Sequence, residues 1–264
     1  MKKLLYFVPV LLILAFTLLG NRLFASGSVS PSTLAMVMAA LVVVLLLFRP
    51  KQKKAQTPAA DLEAKVRGTY AADAFAENAK ANALFQSALK DFSGNMPKSA
   101  LNKLKKLEGQ CHSDPEKYAV AVATAMVLAS LNKYAEAARQ YTSALVLCPG
   151  SDVSLEQGRC YQRIGELKKA RSAYAYALDL DAENWEARSA LATACVADRD
   201  YEAGLEEARA VLEHDENHPS ALATAAICCG LMNDPVMSKF YSDKAVANGY
   251  SANKIKDTIA ALKK

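Results

Sequence analysis

The first 54 residues contain no aspartate and no glutamate, although they carry seven lysines and arginines. Residues 55–264 carry 25 basic and 27 acidic residues, so the net charge of +5 at neutral pH comes from the first segment alone. A nucleic-acid-binding protein would need a basic patch on its folded domain. The charge balance of residues 55–264 gives no indication of such a patch.

Motifs for catalysis and for metal or nucleotide binding are also missing from the sequence. It has no phosphate loop, no dinucleotide fingerprint and no nucleophile elbow, and its six cysteines form no C-x-x-C pair. His214 and His218 are four residues apart, but Asp215 stands where the zinc-protease motif needs glutamate. We predict no enzyme activity, no metal and no cofactor, and reduced cysteines that pack as small apolar side chains.

Two uncharged apolar runs, Leu4–Leu19 and Leu34–Phe48, precede the rest of the chain. Extended to Phe24, the first run would cover ~30 Å as a helix at ~1.5 Å per residue, which matches one bilayer core. The link between the runs is short and rich in glycine, serine and proline, which predicts two antiparallel helices. We therefore expect a transmembrane hairpin over residues 1–49, with helices at about 4–24 and 30–48, and a basic juxtamembrane linker over 50–58.

The lysines and arginines that flank these runs predict their orientation. Lys2 and Lys3 precede the first run and four basic residues lie at positions 49–54, whereas the link carries only Arg22. The positive-inside rule then places both ends in the cytoplasm, as a multi-pass protein of the cell membrane. A cleaved signal peptide also fits the first run, because Met-Lys-Lys and an apolar core are typical of one. In that case the second run would stop transfer, and residues 55–264 would still be cytoplasmic.

From residue 59 onward the sequence predicts helices, because it is rich in alanine, leucine, lysine and glutamate and shows no strand-like alternation. Small residues recur at two places in the windows 118–151, 151–184, 185–218 and 219–252. Two antiparallel helices pack closely only where small side chains meet, so each window predicts a helix hairpin. The recurring residues are Ala125, Gly158, Ala192 and Ala226 at the first place, and Ala137, Ala170, Gly204 and Ser238 at the second.

This pattern resembles the tetratricopeptide repeat (TPR) family. In window 151–184 the family's spacing is met by Gly158, Tyr161, Gly165, Leu167, Ala170, Tyr174 and Ala177. The resemblance covers about residues 81–264 and implies an all-α fold, an α-solenoid of stacked helix hairpins that share a core. We expect a TPR-like helical domain over 59–264, with a weak repeat at 81–114 and a capping helix at 251–264.

The TPR resemblance also implies a binding surface, since TPR proteins generally hold a peptide or a helix on a concave face lined by first helices. Arg159 and Arg163 form the only cationic pair among these positions, and they could hold a partner's carboxylate or carbonyl groups. The Lys and Asn set that clamps a C-terminal carboxylate in chaperone-binding TPR proteins is not found. The groove residues implied are Val122, Met126, Leu155, Arg159, Gln162, Arg163, Ser189, Thr193, Ala223 and Ile227.

Together these features predict a membrane-anchored scaffold whose cytoplasmic solenoid binds another protein. An alternative is an assembly factor on the outer side of the membrane, since the chain also resembles cytochrome c maturation TPR proteins, which have two N-terminal helices. A third hypothesis is a module for self-association into a homo-oligomer. The short link and the lysines after Phe48 favour the first hypothesis over the second.

Overall fold

The structure, a computed structural model, describes residues 58–263. Both predicted membrane helices, at 4–24 and 30–48, lie outside this range, as does nearly all of the predicted linker over 50–58. Among the described residues, every helix is too short or too polar to cross a bilayer.

Twelve α-helices and no β-strand make up the described residues, which confirms the all-helical solenoid. The helices are α1 (Pro58–Arg67), α2 (Ala79–Ser93), α3 (Pro97–Glu108), α4 (Asp114–Ser130), α5 (Tyr134–Leu147), α6 (Ser151–Arg163), α7 (Leu167–Leu180), α8 (Trp185–Ala197), α9 (Tyr201–His214), α10 (Pro219–Leu231), α11 (Pro235–Ala247) and α12 (Ala252–Leu262).

Helices α2 to α11 form five antiparallel hairpins, and each hairpin packs against the next. The second helix of one hairpin contacts the first helix of the following one throughout this series. First helices also contact each other directly, α2 with α4, α6 with α8 and α8 with α10. Extensive contacts of this kind are not found between the second helices of the described part. The first helices therefore lie on the inner, more crowded side of the stack.

Each hairpin turns through one residue in the left-handed region of φ. These residues are Asn95, Asn132, Gly165, Arg199 and Asn233, with φ between 59° and 79°. Glycine adopts this conformation freely and asparagine tolerates it, whereas a long side chain such as arginine is disfavoured there. The sequence thus places a suitable residue at four of the five turns and an unsuitable one at Arg199.

The helices of a hairpin cross where the sequence has small residues. Ala125 and Ala137 are fully buried in the α4–α5 hairpin, and Ala192 is fully buried in α8. Gly158 is the tightest of these sites, because a Cβ built on it would lie 2.5 Å from Cε1 of the buried Tyr174. Because glycine has no side chain, the tyrosine ring of the facing helix fits against the backbone at this position.

Two first helices, α4 and α10, are apolar on all sides, which is typical of a helix without a solvated face. Helix α4 is contacted by α1, α3 and α5, and helix α10 by α8, α9, α11 and α12. Residues 118–125 and 221–229 are accordingly buried without interruption. The first helices α4 and α10 are thus covered, and α6 and α8, which lie between them, are more open.

Helix α1 lies on the inner side of the stack, since it contacts both first helices α2 and α4. It ends at Arg67, and the Arg67 guanidinium holds the following segment in place. Its Nη1 donates to the carbonyl of Ala74 at 2.7 Å, its Nη2 donates to Oδ1 of Asn82 at 2.8 Å, and Glu63 pairs with it at 2.8 Å. The two terminal nitrogens of the buried guanidinium are therefore compensated by charge and by hydrogen bonds, as a buried charge requires.

The contact between Gly158 and Tyr174 predicts that Gly158→Ala destabilises the fold. We expect the free energy of unfolding to fall by about 1–2 kcal/mol, because the added methyl group overpacks the crossing. Alanine's higher helix propensity, about 1 kcal/mol, offsets only part of this cost. Urea unfolding of the full chain, followed by circular dichroism, measures the change.

Gly109→Ala is the matched control for this substitution, because a Cβ there meets no atom within 4 Å. Its free energy of unfolding should stay the same or rise slightly. Equal stability of the Gly158→Ala variant and the unmodified chain would contradict the packing described here.

The turn at Arg199 predicts a stabilising substitution. Replacing Arg199 by glycine should raise the free energy of unfolding by about 1 kcal/mol, because glycine avoids the steric cost of a positive φ. Asn132→Gly, at the equivalent turn, should change stability less, since asparagine already tolerates this conformation. Thermal and urea unfolding compare the two variants, and a loss of stability in Arg199→Gly would refute the interpretation of this turn.

Candidate partner-binding surface

Half of the ten predicted groove residues are buried. Their fractional exposures are 4% for Val122, 2% for Leu155, 7% for Ser189, 1% for Ala223 and 8% for Ile227. The expectation that they line an open groove therefore does not hold for these five residues. Val122 belongs to the same core cluster as Val66 of α1. Ile227 belongs to the same cluster as Ile255 of α12.

The other predicted residues keep side-chain surface in contact with solvent. Met126, Arg159 and Gln162 are half-buried, and Arg163 and Thr193 are exposed. Met126 lies on α4, next to the region that α1 covers. The accessible residues are therefore concentrated on the two central first helices, α6 and α8.

Arg159 connects these two helices through carboxylates. Its guanidinium pairs with Glu156 on α6 at 2.8 Å and with Glu186 on α8. Because Glu186 belongs to the next first helix, this ion pair crosses the inner side of the stack. We call the set Arg159, Gln162, Arg163, Glu186 and Thr193 the inner surface.

Helical spacing places the remaining members of the inner surface beside this ion pair. Gln162 and Arg163 follow Arg159 by three and four residues on α6, and Thr193 follows Glu186 by seven residues on α8, so they share its face. Gln162 is held in place because its Oε1 accepts a hydrogen bond of 2.9 Å from the hydroxyl of Tyr174. Its amide nitrogen remains available as a donor.

The charge of Arg159 is stabilised by its two partners. Burial opposes that charge, but hydrogen bonding to Glu186 and the nearby Glu156 carboxylate hold the pKa of Arg159 above its ordinary value. A partner's carboxylate would have to compete with both glutamates for this guanidinium. Arg163, which makes no ion pair among the described residues, is better placed to receive an acidic or carbonyl group of a partner.

Three charged residues next to this site were not predicted from the sequence, namely Lys65, Glu156 and Glu186. Lys65 of α1 lies 3.9 Å from Glu156, so the covering helix reaches as far as α6. The pair of Glu156 and Arg159 could have been found, because residues three apart on a helix are neighbours. The contacts of Lys65 and Glu186 depend on how separate helices pack, which no local spacing indicates.

The two neighbouring histidines have separate structural roles. The ring of His214 stacks on Trp185 with a centroid distance of 4.3 Å. His218 instead caps α10, where its Nδ1 accepts a hydrogen bond of 3.2 Å from the amide of Ala221. In the range 58–263, no group of three or more metal-binding side chains comes together.

The cysteines of the described range are free thiols, four of them buried. Burial raises the pKa of Cys160 to about 11 and that of Cys228 to about 12. Both thiols are therefore protonated near neutral pH, and a protonated thiol is a poor nucleophile and a poor metal ligand. These side chains contribute apolar packing to the core.

The chain resembles known proteins in its fold but not in its sequence. No protein-family model matches the sequence, and no curated protein matches it. Solved structures do match the fold. A TPR protein from Parabacteroides merdae aligns with a TM-score of 0.62 and 20% identity over 69% of this chain and 72% of its own.

Two further solved structures align with this chain over nearly their whole length. YrrB, a TPR protein with an unusual peptide-binding site, aligns with a TM-score of 0.59 and 20% identity over 74% of this chain and 98% of its own. MamA aligns with a TM-score of 0.57 and 14% identity over 61% and 93%, respectively. Identities this low show the fold alone, so the chain shares the all-helical, TPR-like solenoid of these proteins.

Proposed function

We propose that this chain is a membrane-anchored scaffold that binds a peptide or a helix of another protein on its inner surface. The observation that carries the proposal is that two covered first helices, α4 and α10, flank two first helices with exposed polar residues. Helix α1 covers the side of α4, helix α12 packs on α10, and exposed polar residues remain on α6 and α8. Solenoid proteins cap the ends of their stack and use the concave inner surface for binding, so exposed polar residues there are available to a partner.

The chemistry of the inner surface suits an extended peptide. Arg163 offers a planar cationic donor and Gln162 an amide donor, both of which can hydrogen-bond to peptide carbonyls, whereas the Thr193 hydroxyl, which donates to the carbonyl of Ser189, can accept from a peptide amide. The side chain of Glu186 is 69% exposed and could accept from a partner's donor. YrrB, whose fold this chain shares, is described as having a peptide-binding site, which supports the same type of ligand here.

The proposed anchor rests on the sequence of residues 1–54. Two uncharged apolar runs and the absence of acidic residues are typical of a membrane hairpin, and the flanking lysines favour a cytoplasmic solenoid. Attachment to a membrane would raise the effective concentration of the solenoid for a partner on the same membrane. Scaffolds gain avidity in this way without any additional contact.

Photo-crosslinking in cells tests the inner surface. We expect the full chain with a photoreactive residue at Thr193 or Arg163 to form an adduct with one and the same protein. The same residue at Ser172, which is exposed on the second helix α7, should not form this adduct. Mass spectrometry of the adducts identifies the protein, and adducts that are equally frequent at Ser172 would contradict the proposal.

Charge reversal tests which cation on this surface binds. Arg163→Glu should weaken binding of the identified partner about tenfold or more, because a charge-assisted hydrogen bond is worth about 1.5–3 kcal/mol. Arg209→Glu, an equal charge change at an exposed position of α9, is the control and should leave binding within about twofold of the unmodified chain. Equal effects of the two substitutions would show a general charge effect rather than a site.

Cysteine labelling tests the orientation. In a full chain with Cys111→Ser and Cys148→Ser, a membrane-impermeant maleimide should label Ser26→Cys in intact cells. In a second variant of the same background, the maleimide should label Thr193→Cys only after the membrane is permeabilised. Labelling of Thr193→Cys in intact cells would instead favour the assembly factor on the outer side of the membrane.

A further inference from the structure

A groove opens between α11 and α12 because α12 packs mainly against α10. In the preceding hairpins the next first helix lies along the second helix, as α10 does along α9, but α12 contacts α11 less than it contacts α10. Gly230 permits this arrangement, because Ile259 of α12 approaches it so closely that a Cβ there would lie 2.7 Å from Cδ1 of the isoleucine. The remaining space between α11 and α12 has a volume of about 720 Å³.

The groove combines an apolar base with a basic rim. Ile255 is buried at its base and Ile259 is half-buried beside it. Exposed charged side chains line the rim, three of them lysines, namely Lys239, Lys256 and Lys263, and one an aspartate, Asp243. A groove with these two components fits a ligand that is apolar on one side and negatively charged at its edges.

Helical spacing extends this apolar base along α11. Pro235, Lys239 and Ser242 line the groove, and Val246 follows Ser242 by four residues, so it lies on the same helix face. Val246 is 43% exposed, which leaves a large apolar side chain without cover. The groove face therefore runs the length of α11, whose 13 residues span ~20 Å at ~1.5 Å per residue.

The charge of this region differs from that of the helices before it. Residues 235–264 carry six lysines and two aspartates, a net charge of +4. Residues 58–234 carry 19 basic and 25 acidic residues, a net charge of −6. The basic rim is thus a local feature, and complementary charge gives a ligand both orientation and a faster approach.

We infer that the groove between α11 and α12 is a second docking site, separate from the inner surface, and that it takes an acidic amphipathic helix of a partner protein. A helix laid in a groove is a common mode of recognition, in which apolar anchors one turn apart enter the groove and polar residues meet its rim. Here leucine-like anchors would meet Ile259 and Val246, above the buried Ile255. Glutamates or aspartates at the edges would pair with Lys239, Lys256 and Lys263.

Two other parts of the same chain fit this groove poorly. The first 54 residues are apolar and basic, so their charge would be repelled by the lysines. A second copy offers the acidic helix α9, but the apolar residues of α9, such as Ala208 and Val211, are fully buried in its own core. A copy would have to unfold that helix to present an apolar and an acidic face together.

A designed peptide tests the chemistry of the site. The probe is a helical peptide of 14 residues with leucines one turn apart and glutamates on both flanks, and its partner probe has lysines in place of the glutamates. We expect the full chain to bind only the acidic probe in fluorescence anisotropy. Binding of both probes alike, or of neither, would overturn the inference.

Charge reversals test whether the acidic probe binds in the groove. The double variant Lys239→Glu and Lys256→Glu should bind the acidic probe about tenfold more weakly, as expected for the loss of two exposed ion pairs. Lys254→Glu is a control for a single charge reversal, because Lys254 is exposed on α12 but does not line the groove. Equal weakening by Lys254→Glu would overturn the assignment, and circular dichroism checks that each variant is folded.

Crosslinking identifies the natural occupant. A photoreactive residue at Val246 of the full chain should form adducts in cells with a segment of another protein that is rich in Asp and Glu and has apolar residues one turn apart. Adducts with a second copy of the chain, adducts with lipid, or no adduct would each contradict the inference. Because this readout does not involve Arg163 or Thr193, its failure is distinguishable from a failure at the inner surface.

Discussion

The close approach of two helices at a residue with almost no side chain is the contact on which the rest of the structure depends. At Gly158 the ring of Tyr174 fills the space that a methyl group would occupy. One hairpin cannot bury its apolar face alone, so each hairpin packs against its neighbours and the core becomes continuous along the stack. Small side chains at the crossings set how closely the helices pack, and with it the positions of the residues on the inner side.

The distribution of exposed residues follows from this stacking. A central first helix such as α6 has neighbouring hairpins on both sides and still keeps a polar inner face. Helices α4 and α10 have apolar inner faces, and α1 and α12 pack on them. The inner surface is consequently limited to α6 and α8, where the ion pair between Arg159 and Glu186 joins neighbouring hairpins.

The hairpins and their crossing residues could be predicted from the sequence because they depend on local spacing. Gly158 and Ala192 recur at a fixed distance, and the structure buries both. The position of α1 could not be predicted, since its contact with α4 is made between segments far apart in the chain. The burial of Val122 and Ile227 has the same cause. Even so, the uninterrupted apolar stretches around them indicate helices that are covered on all sides.

The most direct test of the central contact is a double-mutant cycle between Gly158→Ala and Tyr174→Leu, measured by urea unfolding of the full chain. If the tyrosine ring occupies the space beside Gly158, adding the methyl group should destabilise the unmodified chain but not the Tyr174→Leu variant. The two substitutions would then show a coupling free energy of about 1 kcal/mol or more. Strictly additive effects would contradict the account, because they would mean that the ring and the glycine do not meet.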